Sequence, residues 1–153
     1  MEVIKVCHLS SVHLPYDSRI FEKEATSTAK FFEAYLVALN WETQTRENVR
    51  IIGVPYRPES RLKRALIGGY KLYQEALRVD AHLYHIHDPE LIPYVFLLKR
   101  KGKKVVFDAH EDLPLQIFNK HYIPKRFKKI ISKLVSFGER VGLRKADHIV
   151  TST

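Results

Sequence analysis

Short apolar runs alternate along the chain with longer stretches at helical spacing. Val3-Ile4-Lys5-Val6-Cys7 reads as a first strand, and Ile20, Phe21, Ala25, Thr28, Ala29 and Phe32 then recur as one helix face. Ala34 to Leu39 is apolar without interruption, the pattern of a strand covered on both sides. Val49 to Val54 is a third strand, stopped by Pro55 and Pro58. Leu62, Ala65, Leu66, Gly69, Tyr70, Tyr73, Ala76 and Leu77 mark a second helix, with Gly68-Gly69 as a close packing point. His82 to Ile86 is strand-like.

Asp88-Pro89-Glu90 is a helix start, with Asp88 as N-cap, Pro89 in the first helical position and Glu90 in the first turn. Pro93 is expected to kink that helix, and Lys101-Gly102-Lys103 to close it. Lys104 to Phe107 is the next strand. Pro124 opens a long helix with Phe127, Ile130, Ile131, Leu134, Val135 and Val141 on one side, and His148 to Thr151 is the last strand. This alternation predicts an α/β fold: a Rossmann-like, doubly wound, mostly parallel sheet with helices on both faces. Ligands of such sheets sit outside the carboxyl ends of the strands. The loops Leu9–Ser18, His87–Glu90 and Ala109–Pro114 are therefore where chemistry is expected.

Composition narrows the class. The 153 residues form one domain, residues 1–153, and 45% hydrophobic with 28% charged residues excludes intrinsic disorder. The net charge of +9 suits an anionic partner. With one cysteine, Cys7, neither a disulfide framework nor a multi-cysteine zinc site is possible. No export signal opens the chain, and the longest strongly apolar run, Leu91 to Leu98, is far short of the ~20 residues of a membrane span. The reading is a cytoplasmic protein that can lie on the inner face of a membrane without crossing it.

The loop from Leu9 to Arg19 has no glycine, which disfavours a dinucleotide fingerprint. Two readings of it stand. Asp17 or Ser18 caps the next helix with Arg19 in its first turn, or Ser10, Ser11, Asp17 and Arg19 grip a hydroxylated ligand. In His85-Ile86-His87-Asp88 the alternate histidines face one way, as a shared cation would require. The flanking pattern of metallohydrolases is missing and Asp88 is needed as a cap. The reading is thus no metal, with His87 at a strand's carboxyl end where a ligand can meet it.

Asp108-Ala109-His110-Glu111-Asp112 is the densest titratable cluster. Asp108 and Asp112 serve equally well as turn and cap residues. His110 is the functional candidate, because a neutral imidazole both donates and accepts hydrogen bonds. From Pro124 to Lys145 there are eight Lys/Arg and one acid, Glu139. Lys125, Arg126, Lys128, Lys129 and Lys133 form either a solvated face or an attachment to anionic lipid. Nucleic acid is set aside as a partner, since no aromatic–basic interleaving, zinc knuckle or helix-turn-helix spacing is present.

Three segments together carry a resemblance: Asp17 to Glu24, His85 to Pro93, and Lys103 to Pro114 with its Asp-Ala-His-Glu-Asp core. They resemble the N-terminal half of retaining glycosyltransferases of the GT-B fold, in particular family 4 members that build bacterial surface polysaccharides. Ala146 to Ser152 is similar to the last strand of that half. The resemblance implies two Rossmann-like domains across a cleft, the N-terminal one binding a saccharide or lipid-linked acceptor and the C-terminal one a nucleotide-sugar donor. It implies transfer with no metal or other cofactor and with retained anomeric configuration. His110 matches the histidine that contacts the donor sugar near the reaction centre, where it would stabilise an oxocarbenium-like transition state. Acceptor contacts are expected from Ser10, Ser11, Asp17, Arg19, His87, Asp88 and Glu111.

The sequence departs from the family in having Ser10-Ser11 where many relatives carry Gly-Gly. The donor half is not in the chain, so this half alone is expected to bind weakly and not turn over. Two rivals remain: a metal-dependent hydrolase using His85, His87, Asp108 and His110, and a non-catalytic module for anionic surfaces.

Overall fold

A computed structural model describes residues 2–11, 18–109 and 124–151. Among the described residues seven strands form one sheet: β1 (Lys5–Ser10), β2 (Glu33–Leu39), β3 (Gln44–Arg46), β4 (Val49–Val54), β5 (Leu83–Ile86), β6 (Lys104–Ala109) and β7 (His148–Thr151). Their order is β3-β4-β2-β1-β5-β6-β7, parallel throughout except for the β3–β4 pair. The strand order reverses at β1, which pairs with β2 on one side and β5 on the other. This is the topological switch point of a doubly wound sheet.

The helices follow the apolar spacing with local departures. α1 runs from Ser18 to Ala25 wound as π-helix and continues through Thr26–Ala29. Its Ile20, Phe21 and Ala25 are buried against Ala34, Leu36, Val49 and Ile51. The helix ends before Phe32 and does not include it. Phe31 and Phe32 are exposed, and the Glu33 N–H already donates to the Ile4 carbonyl at 3.0 Å. The chain must turn there to align β2 with β1, and that strand pairing overrides the helical spacing.

β3 was not expected. The chain reverses through Glu47 and Asn48, both at positive φ (51° and 64°), between the paired residues Arg46 and Val49. Two left-handed residues make the tight hairpin turn that suits twisted strands, and Glu-Asn is a weak signal for it next to Asn-Gly.

α2 is a continuous helix of three pieces, Arg61–Lys63, the π-helical Arg64–Gly68 and Gly69–Val79, with Ser60 accepting from the Lys63 N–H at its start. The glycine pair is the predicted close approach: a Cβ on Gly69 would meet Tyr94 Cε2 at 2.8 Å, and one on Gly68 would meet Leu39 Cδ1 at 2.8 Å. α3 (Ile92–Arg100) follows a 3₁₀ turn, Pro89–Leu91. Pro93 lies in the first turn of α3, where a missing N–H disturbs nothing, and so does not kink a longer helix.

Gly102, at φ 76°, ends α3. Its N–H donates to Lys99 and the Lys103 N–H to Leu98, a Schellman closure. α4 (Lys125–Lys145) packs on α3. Lys99 Nζ, on α3, donates to both oxygens of Asp147 at 2.7 Å, and Asp147 Oδ2 also accepts from the Val105 N–H at 2.8 Å. One carboxylate thus ties α3 and β6 to the start of β7.

The main core lies between the sheet and α2–α3: Cys7, Leu9, Val37, Leu72, Ala76, Tyr84, Ile86, Leu91, Leu98, Val105 and Phe107 are all buried there. Burial pushes the Cys7 thiol far above its ordinary pKa. Tyr84 is satisfied inside this core. Its Oη donates to the Ala76 carbonyl at 2.9 Å and accepts from the Ala81 N–H at 3.0 Å, and burial raises its pKa to about 12.

Candidate functional site at the switch point

The carboxyl ends of β1 and β5 lie side by side, and two polar assemblies meet there. The first joins the loops. Asp88 Oδ2 accepts from Ser10 Oγ at 2.8 Å and from the Ser11 N–H at 2.7 Å. Glu90 Oε1 accepts from Ser11 Oγ, and its two oxygens receive Arg64 Nε and Nη2 at 2.8 and 3.1 Å. These hydrogen bonds from Glu90 push the Arg64 pKa further above its already high ordinary value. Asp88 holds the extended N-cap conformation predicted for it, but its carboxylate makes no cap hydrogen bond and bridges to the β1 loop instead. A fork-on-carboxylate pair fixes orientation as well as distance. The result is a rigid strap from α2 through Glu90 to the end of β1.

The second assembly lies on the sheet face beneath α1. His8 and His85 are register partners on β1 and β5. His87 follows two residues after His85 and stacks on it, ring centroids 4.2 Å apart. His8 Nδ1 lies 2.9 Å from His87 Nε2, and His8 Nε2 lies 3.3 Å from Thr28 Oγ1. Thr28 gives its hydroxyl proton to the Glu24 carbonyl at 2.7 Å. The Thr28 oxygen must therefore accept, so His8 carries its proton on Nε2. Burial first, then the neighbouring His87 and His85, hold the His8 pKa well below its ordinary value, so its Nδ1 is a lone pair. That lone pair accepts from His87 Nε2–H. The remaining His87 nitrogen, Nδ1, faces Asp108 Oδ2 at 3.2 Å and Glu24 Oε2 at 3.5 Å. Glu24 Oε2 also lies 3.6 Å from His85 Nε2. One donor atom from each of His8, Glu24, His85 and His87 falls within 4.8 Å of the other three.

The expected site residues divide as follows. Ser10, Ser11, His87 and Asp88 are brought together, but all four are buried and bonded to protein partners. They frame the switch point. His87, expected where a ligand can meet it, is 0% exposed, with its ring turned onto the sheet face among His8, His85, Glu24 and Asp108. Arg19 lies in the first turn of α1. Asp17, His110 and Glu111 lie outside the described residues.

Lys125, Arg126, Lys129 and Lys133 are exposed on α4, with Lys128 half-buried. Of the apolar residues read on one side of α4, Phe127, Ile130 and Leu134 are 43%, 57% and 65% exposed and Ile131 and Val141 are half-buried; Phe137 is also 69% exposed. Among the described residues no helix is long and apolar enough to cross a membrane.

Sequence reasoning missed His8, Glu24, Thr28 and Arg64. His8 had a legible signal, since it alternates with Cys7 and Leu9 in a strand whose parallel partner carries His85. Glu24 had a weaker one, a carboxylate one turn from Thr28 on the predicted α1. Nothing in the sequence links Arg64 to Glu90 across 26 positions.

Comparison with known proteins agrees with this architecture. No curated protein matches the chain. A solved structure described as "Trehalose-6-phosphate from E. coli bound with UDP-2-fluoro glucose" superposes with a TM-score of 0.56 at 14% identity. The match covers 95% of this chain and 39% of that one, so the chain spans well under half the length of that protein. The likeness shows the fold, a Rossmann-like α/β sheet. The pattern of Glycosyltransferase Family 4 matches residues 26–153. The match takes in β2 through β7 and the His87–Glu90 loop, and by it the chain belongs to Glycosyltransferase Family 4.

Proposed function

We propose that this chain is the acceptor-side wall of a sugar-transfer cleft, in a protein that moves a sugar from a nucleotide-sugar donor to a saccharide or lipid-linked acceptor in surface polysaccharide synthesis. The observation that carries the reading is placement. The Ser10–Asp88 and Ser11–Glu90–Arg64 bonds stiffen the rim at the one point of the sheet where strand order reverses, in a chain of a glycosyltransferase family. A stiff rim sets the positions from which the chain leaves β1 and β6; in the sequence Asp17 follows β1, His110 and Glu111 follow β6, and Arg19 stands in the first turn of α1. His110 would hold the donor sugar and stabilise positive charge developing at its anomeric carbon, as the resemblance implies. Family membership replaces the hydrolase alternative.

The open apolar row of α4, flanked by Lys125, Arg126, Lys129 and Lys133, supports docking on anionic lipid, which would bring a lipid-linked acceptor to the cleft. The test is release of nucleoside diphosphate from a panel of nucleotide-sugars by the protein that contains this chain, with His110→Ala beside the parent. Turnover is expected to fall about 100-fold or more with unchanged thermal unfolding. A folded His110→Ala protein with parental turnover contradicts the assignment.

A further inference from the structure

We infer that Glu24, His85 and His87 form a binding site for a divalent transition-metal ion of the zinc class, oriented by His8. The inference goes beyond the sugar-transfer reading and does not depend on it.

Three donor atoms converge. Glu24 Oε2 is 3.6 Å from His85 Nε2 and 3.5 Å from His87 Nδ1. A tetrahedral zinc ion with ligands at about 2.0–2.1 Å needs ligand–ligand edges of roughly 3.3–3.4 Å; the two edges to Glu24 are close to this, and the His85 ring, stacked on His87 with centroids 4.2 Å apart, has to turn for its lone pair to meet the same ion. Two imidazoles and one carboxylate are a recognised zinc donor set that leaves a fourth position for water. Imidazole rings also suit copper and nickel, so selectivity follows from geometry and supply.

The hydrogen-bond chain favours the same conclusion. Thr28 fixes His8, and His8 takes the Nε2 proton of His87 as a hydrogen bond. His87 Nδ1, which shares a proton with Asp108 Oδ2 at 3.2 Å, lies 3.5 Å from Glu24 Oε2, and an ion would take the place of that proton. A ligating histidine normally donates its other ring N–H to a partner that fixes the tautomer, and His8 is that partner here. Buried Asp108, 3.2 Å from His87 Nδ1, places a second carboxylate beside that of Glu24.

The ligands come from β5, the residue just past it, and α1. The ion would therefore pin the π-helical start of α1 onto the switch point, beside the Ser10–Asp88 strap. π-turns recur at functional positions, and this one carries Glu24.

The test titrates the metal-free 153-residue chain with Zn²⁺ against a chromogenic chelator, and with Co²⁺ by visible absorption. One equivalent is expected to bind, with the strong d–d bands of tetrahedral Co²⁺ and a raised thermal midpoint. Glu24→Gln and His85→Gln should each weaken binding at least about 100-fold, and His8→Gln about 10–100-fold through orientation alone. Should a histidine variant not fold, ¹⁵N imidazole spectra of the parent decide: Zn²⁺ should move His85 at Nε2 and His87 at Nδ1. The inference is overturned by the absence of saturable one-to-one binding, by binding unchanged in Glu24→Gln, or by Zn²⁺ shifts confined to His82 or His148. An intact metal site in a protein without transferase activity would leave this inference standing and remove the other reading.

Discussion

The same strands build two unlike faces of one sheet. Toward α2 and α3, β1, β5 and β6 present Cys7, Leu9, Tyr84, Ile86, Val105 and Phe107, all buried. Toward α1, the alternate positions of those strands present His8, His85 and Asp108, with His87 just beyond β5. Strand side chains alternate, so neighbours in sequence face opposite environments. One face is held by area and packing. The other is held by a chain of hydrogen bonds that runs from Thr28 through His8 and His87 to Asp108, and such a network is stable only when complete. The difference teaches where chemistry can sit in this fold: on the polar half of central strands, at their carboxyl ends.

Substitutions separate the two faces by size of effect. Phe107→Ala removes a large, 1% exposed side chain from the apolar face and should destabilise by about 3–5 kcal/mol, read by denaturant unfolding. A loss under about 1 kcal/mol would mean that this face is loosely packed. Asp88→Ala leaves the Ser10 hydroxyl and the Ser11 N–H without their acceptor, and should cost about 1–3 kcal/mol. Faster amide exchange at Ser11 is expected with it, whereas unchanged exchange would show that the strap does not hold the β1 loop.

The smallest effect is expected at the far edge of the sheet. Asp147→Asn breaks a partly exposed pair with Lys99 and weakens the acceptor of the Val105 N–H, for a loss of about 0.2–1 kcal/mol. The hydrogen bond from Lys99, then that from Val105, holds the Asp147 pKa below its ordinary value. Its contribution is therefore present above the unfolded value of about 3.9 and is lost as pH falls through the lower folded value. The parent and Asp147→Asn should converge in stability toward that acid limit, and a gap that widens there contradicts the sign.

Much of the fold was legible because apolar periodicity records burial. β4 and β7 match their sequence-read bounds, and the Gly68–Gly69 contact and the Gly102 helix stop were foreseen from residue type. β3 escaped because its turn relies on two non-glycine residues at positive φ, and Phe32 misled because helical spacing continued past the point where strand pairing took over. The site was half legible. His85, His87 and Asp88 were singled out, yet what each does depends on partners far away in sequence: Asp88 on Ser10, His87 on His8, Glu90 on Arg64. A parallel sheet joins such positions through register, and one sequence read alone carries no direct record of register.

The claim that ligand binding belongs to the carboxyl ends of β1 and β5 is tested most directly by amide chemical-shift mapping with a nucleotide-sugar and a saccharide acceptor. The account predicts shifts at Ser10, Ser11, Asp88 and Glu90, with Lys5, Ala81, His82 and Lys103 at the opposite end unmoved. Shifts clustered around Lys5, His82 and Lys103, where a cavity of about 470 Å³ opens among residues including Glu2 and Asp80, would contradict it.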